Sequence, residues 1–237
     1  MSKQFSVLLS TAFLPPIQWF VYLLKAEKVL IENFETYPKQ TYRNRCEIAT
    51  ANGKQVLTIP VIKIFGNHTK THEIEIANDE KWQIRHWRSL VAAYANSPYF
   101  LYYQDELQPF FLEEYINLME FNLCIIKSLM AIIGIYKSIE LTDTFELNPK
   151  NVFDLRNEIT PKRTFDHFHL PTYYQVFEEK NGFFSGLSII DLLFNMGPET
   201  FDVLNSAVSY THLRAHEHPD HLVCRLLLAT KNKPPHP

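Results

Sequence analysis

The stretch LLSTAFLPPIQWFVYLLKAEKVLIE, residues 8–32, decides the fold. It continues an apolar run, 5–9, that is typical of a short buried strand. Pro15 and Pro16 follow, and they predict a loop because proline lacks an amide donor and holds the preceding residue out of the helical region. Apolar side chains at spacings of three and four then predict a helix from Ile17 to about Glu27.

A second strand is predicted from Val29 to Ile31, directly after this helix. The segments together form a strand, loop, helix, strand unit. In α/β proteins this arrangement places ligands at the carboxyl end of the first strand. We therefore expect a site near the hydroxyls of Ser10 and Thr11, close to the positive end of the first helix.

The middle of the chain has the pattern of a sheet. Cys46 to Thr50 and Gln55 to Ile62 flank Asn52-Gly53, which is a strong signal for a tight β-hairpin. A further strand is predicted at 71–77, because apolar and acidic residues alternate there and place Ile74 and Ile76 on the inner face.

Three helices are predicted beyond this sheet. The first is capped by Asn78 or Asp79 and ends near Ser97-Pro98. The second is a long packing helix, because apolar residues recur by four and three from Leu112 to Ile133. A loop-rich section leads to a short third helix from Leu187 to Phe194. The fold class is therefore α/β, with a mixed, partly parallel sheet, an N-terminal strand-loop-helix-strand unit, a β-hairpin and packing helices.

Composition restricts the classes of function. The formal net charge is −3, so the chain has no overall basic field that could hold nucleic acid or an anionic membrane. The two most apolar runs are interrupted by prolines or by Lys127, so we predict no stable membrane insertion and a cytoplasmic protein. Three cysteines offer no paired framework, which favours free thiols in a reducing compartment.

The segment KQTYRNR, residues 39–45, has the composition of an anion-binding corner. Lys39, Arg43 and Arg45 can neutralise a phosphate or a carboxylate, and arginine can do so with two parallel hydrogen bonds. Tyr42 and Asn44 can fix the orientation of the ligand. The alternative is a solvated basic turn at the start of a strand. The anionic small molecule that fits is a nucleotide sugar or a similar phosphorylated compound.

Several motifs together resemble the WbqC-like protein family, whose members begin with a strand, a histidine-glutamine-proline loop, an aromatic residue, a proline and an aromatic-rich helix. In this chain Ser10 and Thr11 stand where the histidine and glutamine are expected, and Phe13 takes the aromatic place. Further segments that match the family are TYRNR at 41–45, TIPV at 58–61, HWRSLVAAYANSPYF at 86–100 and LSIIDLLFNMGPE at 187–199. The resemblance spans residues about 5–204.

The resemblance implies a bacterial role in surface-polysaccharide (O-antigen-type) biosynthesis. The first hypothesis is an enzyme that transfers a small acyl or amino-acid group to a nucleotide-linked aminosugar, or otherwise modifies that sugar. The second is a noncatalytic binding or assembly protein of the same pathway. The third is a nucleotidyltransferase-like enzyme, although the paired histidines usual in that class are absent between Ser10 and Phe20.

The candidate site residues follow from these arguments. His86 can titrate near neutrality and is a candidate general base, with Ser10 as the second catalytic candidate. Cys46 is a weaker candidate, because strand alternation turns it away from Arg45. The chain presents no set that predicts a metal or a cofactor, and the identity of a protein partner stays open. The candidate substrate-binding residues are Thr11, Lys39, Tyr42, Arg43, Asn44, Arg45, Trp87, Asp191 and Asn195.

The C-terminal sequence changes character at about Ser206. Residues 207–237, AVSYTHLRAHEHPDHLVCRLLLATKNKPPHP, resemble a translated sequencing adapter. We interpret 1–205 as a WbqC-like α/β domain and 206–237 as a non-native or disordered tail. The spacing of His212 and His216 is typical of a zinc site, as is the pair His167 and His169 on a strand. Further possible ligands follow in the tail, Glu217, His218, Asp220 and His221, but we exclude them because we interpret the tail as non-native. His167 and His169 lack the further ligands that would predict a metal site.

Overall fold

The computed structural model describes residues 5–163 and 168–209, and the last two residues of this range and Phe168 and His169 are described as backbone only. Ten strands and seven helices are present in these ranges. The strands are β1 Ser6–Ser10, β2 Lys28–Glu32, β3 Arg45–Thr50, β4 Gly53–Thr58, β5 Val61–Ile62, β6 Glu75–Ile76, β7 Ile139–Leu141, β8 Phe153–Asp154, β9 Phe168–His169 and β10 Val208–Ser209. The helices are α1 Ile17–Lys25, α2 Trp82–Tyr94, α3 Phe100–Leu107, α4 Leu118–Ile133, α5 Glu178–Asn181, α6 Ile189–Met196 and α7 Thr200–Ser206.

The central sheet is parallel and has the strand order β7-β2-β1-β8. β1 and β2 pair in register from Ser6 with Lys28 to Ser10 with Glu32, so their carboxyl ends meet at one edge. The predicted strand-loop-helix-strand unit and the α/β fold class are confirmed. α1 crosses from β1 to β2, as the connection between parallel neighbours requires.

The two faces of this sheet differ. Val7, Leu9, Val29 and Ile31 are fully buried in the main core, where α1 packs against β1 and α6. On the opposite face lies a cavity of about 400 Å³ that the loop between β7 and β8 partly covers. Its lining includes Leu8, Leu30 and the carboxyl-terminal residue of β2, Glu32.

The predicted hairpin is confirmed as β3 and β4, which pair antiparallel from Arg45 with Thr58 to Thr50 with Gly53. Gly53 has a φ of 103°, a backbone conformation that side-chain-bearing residues rarely adopt. The predicted second strand of the hairpin, Gln55 to Ile62, is in fact two strands, because Pro60 separates β4 from β5.

Two predicted elements are corrected by the structure. The strand at 71–77 is short, because Thr71–Glu73 form a 3₁₀ turn and only Glu75–Ile76 pair with β5; Ile74 and Ile76 are nevertheless buried as expected. The long helix begins at Leu118 because the side chain of Asn117 caps it by accepting a hydrogen bond from the amide of Glu120. Leu112 and Ile116, which the helical spacing placed in the core, are 67% and 72% exposed.

The helix α2 also differs from its predicted start. It begins at Trp82, and Asn78 accepts hydrogen bonds from the side chains of Trp82 and Gln83 instead of capping the backbone. Its inner face carries Trp82, His86 and Leu90, whereas Ile84 is exposed. A polar residue therefore occupies the middle of the buried face.

The described chain ends with three buried or paired positions. Ala207 is buried in the core, and its carbonyl accepts a hydrogen bond from Lys25 at the end of α1. β10 then pairs antiparallel with β9. His167 and the tail histidines His212 and His216 lie outside the described residues. None of the described helices combines the length and the apolar character needed to cross a bilayer.

Two shortened proteins test where the domain ends. A chain ending at Ser209 is expected to melt within about 1 °C of the full chain if the residues after it add nothing to the fold. A chain ending at Asn205 loses the burial of Ala207 and the β10–β9 pairing, and its melting temperature is expected to fall by about 2–4 °C for each kcal/mol lost. Differential scanning calorimetry measures both. A large fall for the first protein would show that the tail belongs to the domain.

Candidate functional site

Ion pairs lie at the carboxyl edge of the parallel sheet. Arg156, just after β8, donates from Nη1 to the Glu32 carboxylate at 2.9 Å and from Nη2 to Asp154 at 2.6 Å. Its Nη2 also donates to the carbonyl of Glu146 at 2.9 Å. Arg156 and Glu32 are buried, so this pair joins the ends of β2 and β8 within the interior.

A second buried pair lies in the loop between β2 and β3. Arg43 donates to Glu35 from both Nε and Nη2, at 2.7 and 2.6 Å. Burial raises the pKa of Glu35, and the adjacent Arg43 guanidinium opposes that rise. Arg43 is 2% exposed. Since Glu35 neutralises its charge, Arg43 has a structural role: the buried ion pair stabilises the conformation of the loop.

Three lysines from other segments, Lys63, Lys70 and Lys162, contact the outer part of this loop, residues 36–39. We call these three and Lys39, which lies in the loop itself, the lysine cluster. Lys63 Nζ donates to the Tyr37 carbonyl at 3.3 Å, and Lys162 Nζ donates to the Lys39 carbonyl at 3.4 Å. Lys70 Nζ lies 3.4 Å from the Thr36 hydroxyl. Among the described residues, no carboxylate forms an ion pair with any of the four.

Like charges within the cluster repel each other. Partial burial lowers the pKa of Lys63, and the positive charge of Lys39 also lowers it. An anion bound among them would remove that repulsion, and it would gain charge-assisted hydrogen bonds.

Unpaired polar atoms lie beneath the lysine cluster. The hydroxyl of Tyr37 is buried without a hydrogen-bond partner in the described part of the chain, as are the Thr41 hydroxyl and Arg45 Nε. The positive charges of Arg43 and Arg45 act on the Tyr37 phenol, and Lys63 lies over its ring at 5.0 Å. Arg45 is half-buried at the start of β3. Of the predicted cations, Lys39 and Arg45 thus form no ion pair with a carboxylate of the described chain.

The polar residues of the first loop hold the backbone. The Thr11 hydroxyl accepts a hydrogen bond from Asn122 Nδ2 at 3.2 Å, and the same amide donates to the Arg43 carbonyl at 2.8 Å. Asn44 Nδ2 donates to the Ile59 carbonyl at 2.8 Å. The Tyr42 carbonyl accepts from the amide of Phe13 at 2.8 Å. These contacts join the loop after β1 to the KQTYRNR segment.

The two predicted catalytic residues are not joined by a hydrogen bond within the described chain. Ser10 is buried, and its carbonyl accepts from Trp19 Nε1 at 3.0 Å. His86 stacks on Phe13 with ring centroids 5.8 Å apart. Burial and, to a smaller extent, the charge of Arg85 lower the pKa of His86 to about 4, although a hydrogen bond to the Thr58 backbone opposes this fall. The ring is therefore neutral at pH 7 and a weak base.

The remaining predicted residues lie in apolar surroundings. Trp87 packs against the rings of Phe100 and Phe111, with centroids 6.1 and 5.6 Å apart. Cys46 is fully buried, and burial raises the pKa of its thiol, so an active thiolate is disfavoured. Among the described residues, no group of three or more His, Cys, Asp or Glu side chains has the arrangement of a metal site.

Asp191 is the centre of a separate buried network. It accepts hydrogen bonds from the Tyr94 hydroxyl at 2.8 Å, the Tyr173 hydroxyl at 2.7 Å and Gln175 Nε2 at 3.1 Å. Asn195 Nδ2 donates to the Asp191 carbonyl at 2.7 Å. Burial raises the pKa of Asp191 to about 6, although these three donors oppose the rise. None of the recorded contacts of Asp191 or Asn195 reaches the lysine cluster within the described chain.

Sequence reasoning missed several residues of the carboxyl edge. Glu32, Glu35 and Arg156 stand alone in the sequence, and each gains its role from a partner on another segment. Lys63 and Lys162 are also remote in sequence from Lys39. Asn122 gave a signal that could have been used, because it is a polar residue on the apolar face of α4 and is fully buried.

The loop, the hairpin and the lysine cluster fall within one family match. The model of the WbqC-like protein family matches residues 11–162, more than half of the 237 residues. This chain belongs to the WbqC-like protein family. It is 27% identical over 217 residues to the uncharacterised protein Rv1507c of Mycobacterium tuberculosis (strain ATCC 25618 / H37Rv), covering 81% of this chain and 94% of that protein. No solved structure matches the chain.

The buried pair Arg43–Glu35 can be tested by removing one charge. Arg43→Met leaves the Glu35 carboxylate buried without its partner, so the free energy of unfolding is expected to fall by about 3–5 kcal/mol. Urea unfolding measures this change. The matched control is Arg85→Met, which breaks the exposed Arg85–Glu80 pair and should cost less than about 1 kcal/mol. Equal losses in the two variants would contradict the structural role of Arg43.

The raised pKa of Asp191 predicts a pH dependence of stability. The folded protein binds a proton at Asp191 more tightly than the unfolded chain does, so the contribution of Asp191 to stability falls as pH rises between about 4 and about 6. From pH 7 to pH 5, wild type is expected to gain about 1 kcal/mol relative to Asp191→Asn. Urea unfolding at both pH values measures this. The control is Asp202→Asn, at an exposed carboxylate of α7, and a pH-independent difference for Asp191→Asn would refute the prediction.

Proposed function

We propose that this WbqC-like protein binds a phosphorylated or nucleotide-linked sugar at the loop 36–45. The observation that carries the proposal is the lysine cluster: the ammonium groups of Lys63, Lys70 and Lys162 contact the loop that contains Lys39. None of the four lysines forms an ion pair with a described carboxylate. A diphosphate carries the charge that such a cluster neutralises. The family and the resemblance noted above favour a sugar of bacterial surface-polysaccharide (O-antigen-type) biosynthesis, made in the cytoplasm.

The division between buried and free cations supports the same proposal. Arg43 and Arg156 are neutralised by Glu35 and by Glu32 with Asp154. Arg45 Nε and the hydroxyls of Tyr37 and Thr41 are buried without a hydrogen-bond partner in the described chain, and the charge of Arg45 acts on the Tyr37 phenol. An arginine held in this way can bind phosphate oxygens in a fixed geometry, while the two hydroxyls supply directional hydrogen bonds. Lys39, Lys63 and Lys162 then supply less directional charge.

As an enzyme, the protein would act as a small-group transferase on a nucleotide-linked aminosugar. In that reaction an amine of the sugar attacks the activated carbonyl of an acyl or aminoacyl donor, the donor's leaving group departs, and a base accepts the amine proton. Neutral His86 is in the protonation state that a base requires. Its pKa of about 4 makes it a weak base before a ligand binds.

A noncatalytic binding or assembly protein of the same pathway is the second candidate. It is favoured by the burial of His86 and Ser10 and by the absence of a hydrogen bond between them in the described chain. Ser10 stands where the resemblance leads one to expect a histidine. In this candidate the loop 36–45 binds the same ligand class without turnover.

A thermal-shift screen tests the anion site. The full chain is titrated with inorganic phosphate, nucleoside mono- and diphosphates and nucleotide sugars. A ligand at 100 times its dissociation constant is expected to add about 2.7 kcal/mol, which corresponds to a rise of roughly 5–10 °C in melting temperature. Arg45→Ala and Lys63→Ala are expected to abolish the rise.

The matched control for this screen is Arg88→Ala, which removes an exposed arginine of α2 outside the lysine cluster. It should keep the full rise. A rise that survives both Arg45→Ala and Lys63→Ala would place the ligand elsewhere. A selective rise followed by group transfer from an acyl-coenzyme donor, detected by mass spectrometry, would favour the enzyme, whereas binding without any product would favour the assembly protein.

A further inference from the structure

The loop that carries Lys63 ends in an exposed apolar tip. Ile62, Ile64 and Phe65 are 48%, 51% and 61% exposed. We call these three residues the apolar tip. Isolated exposed apolar residues are common on proteins, but three of them within four positions form a small patch that water solvates poorly. The tip directly adjoins the lysine cluster, because Lys63 lies between Ile62 and Ile64.

Hydrogen bonds hold the tip in place. The Thr69 hydroxyl accepts from the Phe65 amide and donates to the Gly66 carbonyl, both at 2.9 Å. The Thr69 carbonyl accepts from the Tyr37 amide at 3.0 Å. Since Thr69 is fully buried, it anchors the tip directly to the loop that the lysines surround. The apolar and basic groups therefore have a fixed relative position before any partner arrives.

The charges around the tip are predominantly positive. Lys39 and Lys162 are exposed, and Lys63 and Lys70 are half-buried. Glu75 is the acidic residue directly opposite the tip, because it pairs with Ile62 between β5 and β6. Glu73 is half-buried and accepts from the Lys70 amide at 2.8 Å. The exposed histidine of the same loop, His68, lies two residues beyond the tip's Gly66 neighbour.

We propose that the apolar tip and the lysine cluster together form a docking surface for an anionic lipid membrane. Aliphatic and aromatic side chains flanked by lysines are the combination that binds the interface of such a membrane, with the apolar groups among the acyl chains and the ammonium groups at the phosphates. One aromatic ring would suffice to stack on a nucleobase, whereas two isoleucines add nothing to such stacking and add apolar area to lipid insertion. The binding is peripheral and reversible.

This surface extends beyond the proposed sugar-phosphate site and does not depend on it. The apolar tip plays no part in binding a soluble nucleotide sugar in that proposal. A membrane-docked orientation would bring the loop 36–45 close to the lipid phosphates. A substrate presented at a membrane surface would then meet the same cations as a soluble one.

Vesicle sedimentation tests the docking surface. The full chain is mixed with vesicles of phosphatidylcholine alone or with 30–40% phosphatidylglycerol, roughly the anionic content that raises a strong surface potential. Binding is expected to the anionic vesicles only, and to weaken when salt rises from about 0.1 to 0.5 M because the Debye length shortens. Lys39→Gln with Lys162→Gln should lower the partition coefficient by about fivefold for each lysine removed.

The apolar part is tested by Ile64→Ser with Phe65→Ser, which is expected to lower the partition coefficient at least about tenfold. The matched control is Leu101→Ser with Tyr102→Ser, two strongly exposed apolar residues of α3, and it should bind like wild type. Equal binding to neutral vesicles, no binding to either vesicle, or unchanged binding by the tip variant would each overturn the proposal. If neither vesicle binds, or if the tip variant binds unchanged, the apolar tip would instead be a binding surface for another protein.

The two proposals fail separately. Vesicle binding without any thermal shift by phosphates or nucleotides would overturn the sugar-phosphate site and leave the docking surface standing. A nucleotide-dependent shift lost in Arg45→Ala, together with no vesicle binding, would do the opposite. Melting temperatures of all variants without ligand show whether a loss of binding comes from unfolding.

Discussion

Glu32 and Arg156 meet in the interior at the carboxyl edge of the parallel sheet, where neither charge is stable without the other. Asp154, the last residue of β8, is level with Leu30, so Arg156 two residues further on reaches Glu32 at the end of β2. Asp154 completes the neutralisation of the guanidinium. Arg43, which is paired with Glu35, lies 3.5 Å from the Arg156 carbonyl. The loop 33–45 is therefore tied to the sheet by charges that are expensive to separate.

This constraint divides the cations of the protein into two groups. The buried arginines Arg43 and Arg156 are neutralised within the fold and give the loop its shape. Lys63, Lys70 and Lys162 contact the same loop from outside, and they and Lys39 form no ion pair with a described carboxylate. A formal net charge of −3 therefore coexists with a local group of lysines.

Asp191 shows a different use of a buried carboxylate. It has no cationic partner among the described residues, and two tyrosine hydroxyls and one amide stabilise it. Through Tyr94, whose hydroxyl also accepts from the Ala49 amide at 3.3 Å, this network joins α6 to α2 and β3. A carboxylate without a counter-ion is costly to bury, and its raised pKa expresses that cost. The network thus holds the second half of the core to the hairpin that begins at Arg45.

The sequence by itself determined the N-terminal unit, the hairpin and the location of a basic loop. Prolines, Asn52-Gly53 and apolar periodicity act over a few residues, so they can be recognised without a fold. The prediction from the sequence was wrong at Leu112 and Ile116. Their helical spacing continues that of α4, but the helix begins only after its cap, Asn117. The family was also recognisable, since its motifs are spread along the chain.

Only the tertiary structure decided which of the basic residues are free. Arg43 and Arg45 are two positions apart and chemically alike, yet Glu35 neutralises the first while the Nε of the second has no partner in the described chain. Lys63, Lys70 and Lys162 join Lys39 from remote segments, and Thr69 joins the apolar tip to the same loop. Such groupings depend on pairing between distant segments. Patterns within a few residues of sequence do not predict that pairing, because the electrostatic free energy of a charged side chain depends on the groups that surround it in space.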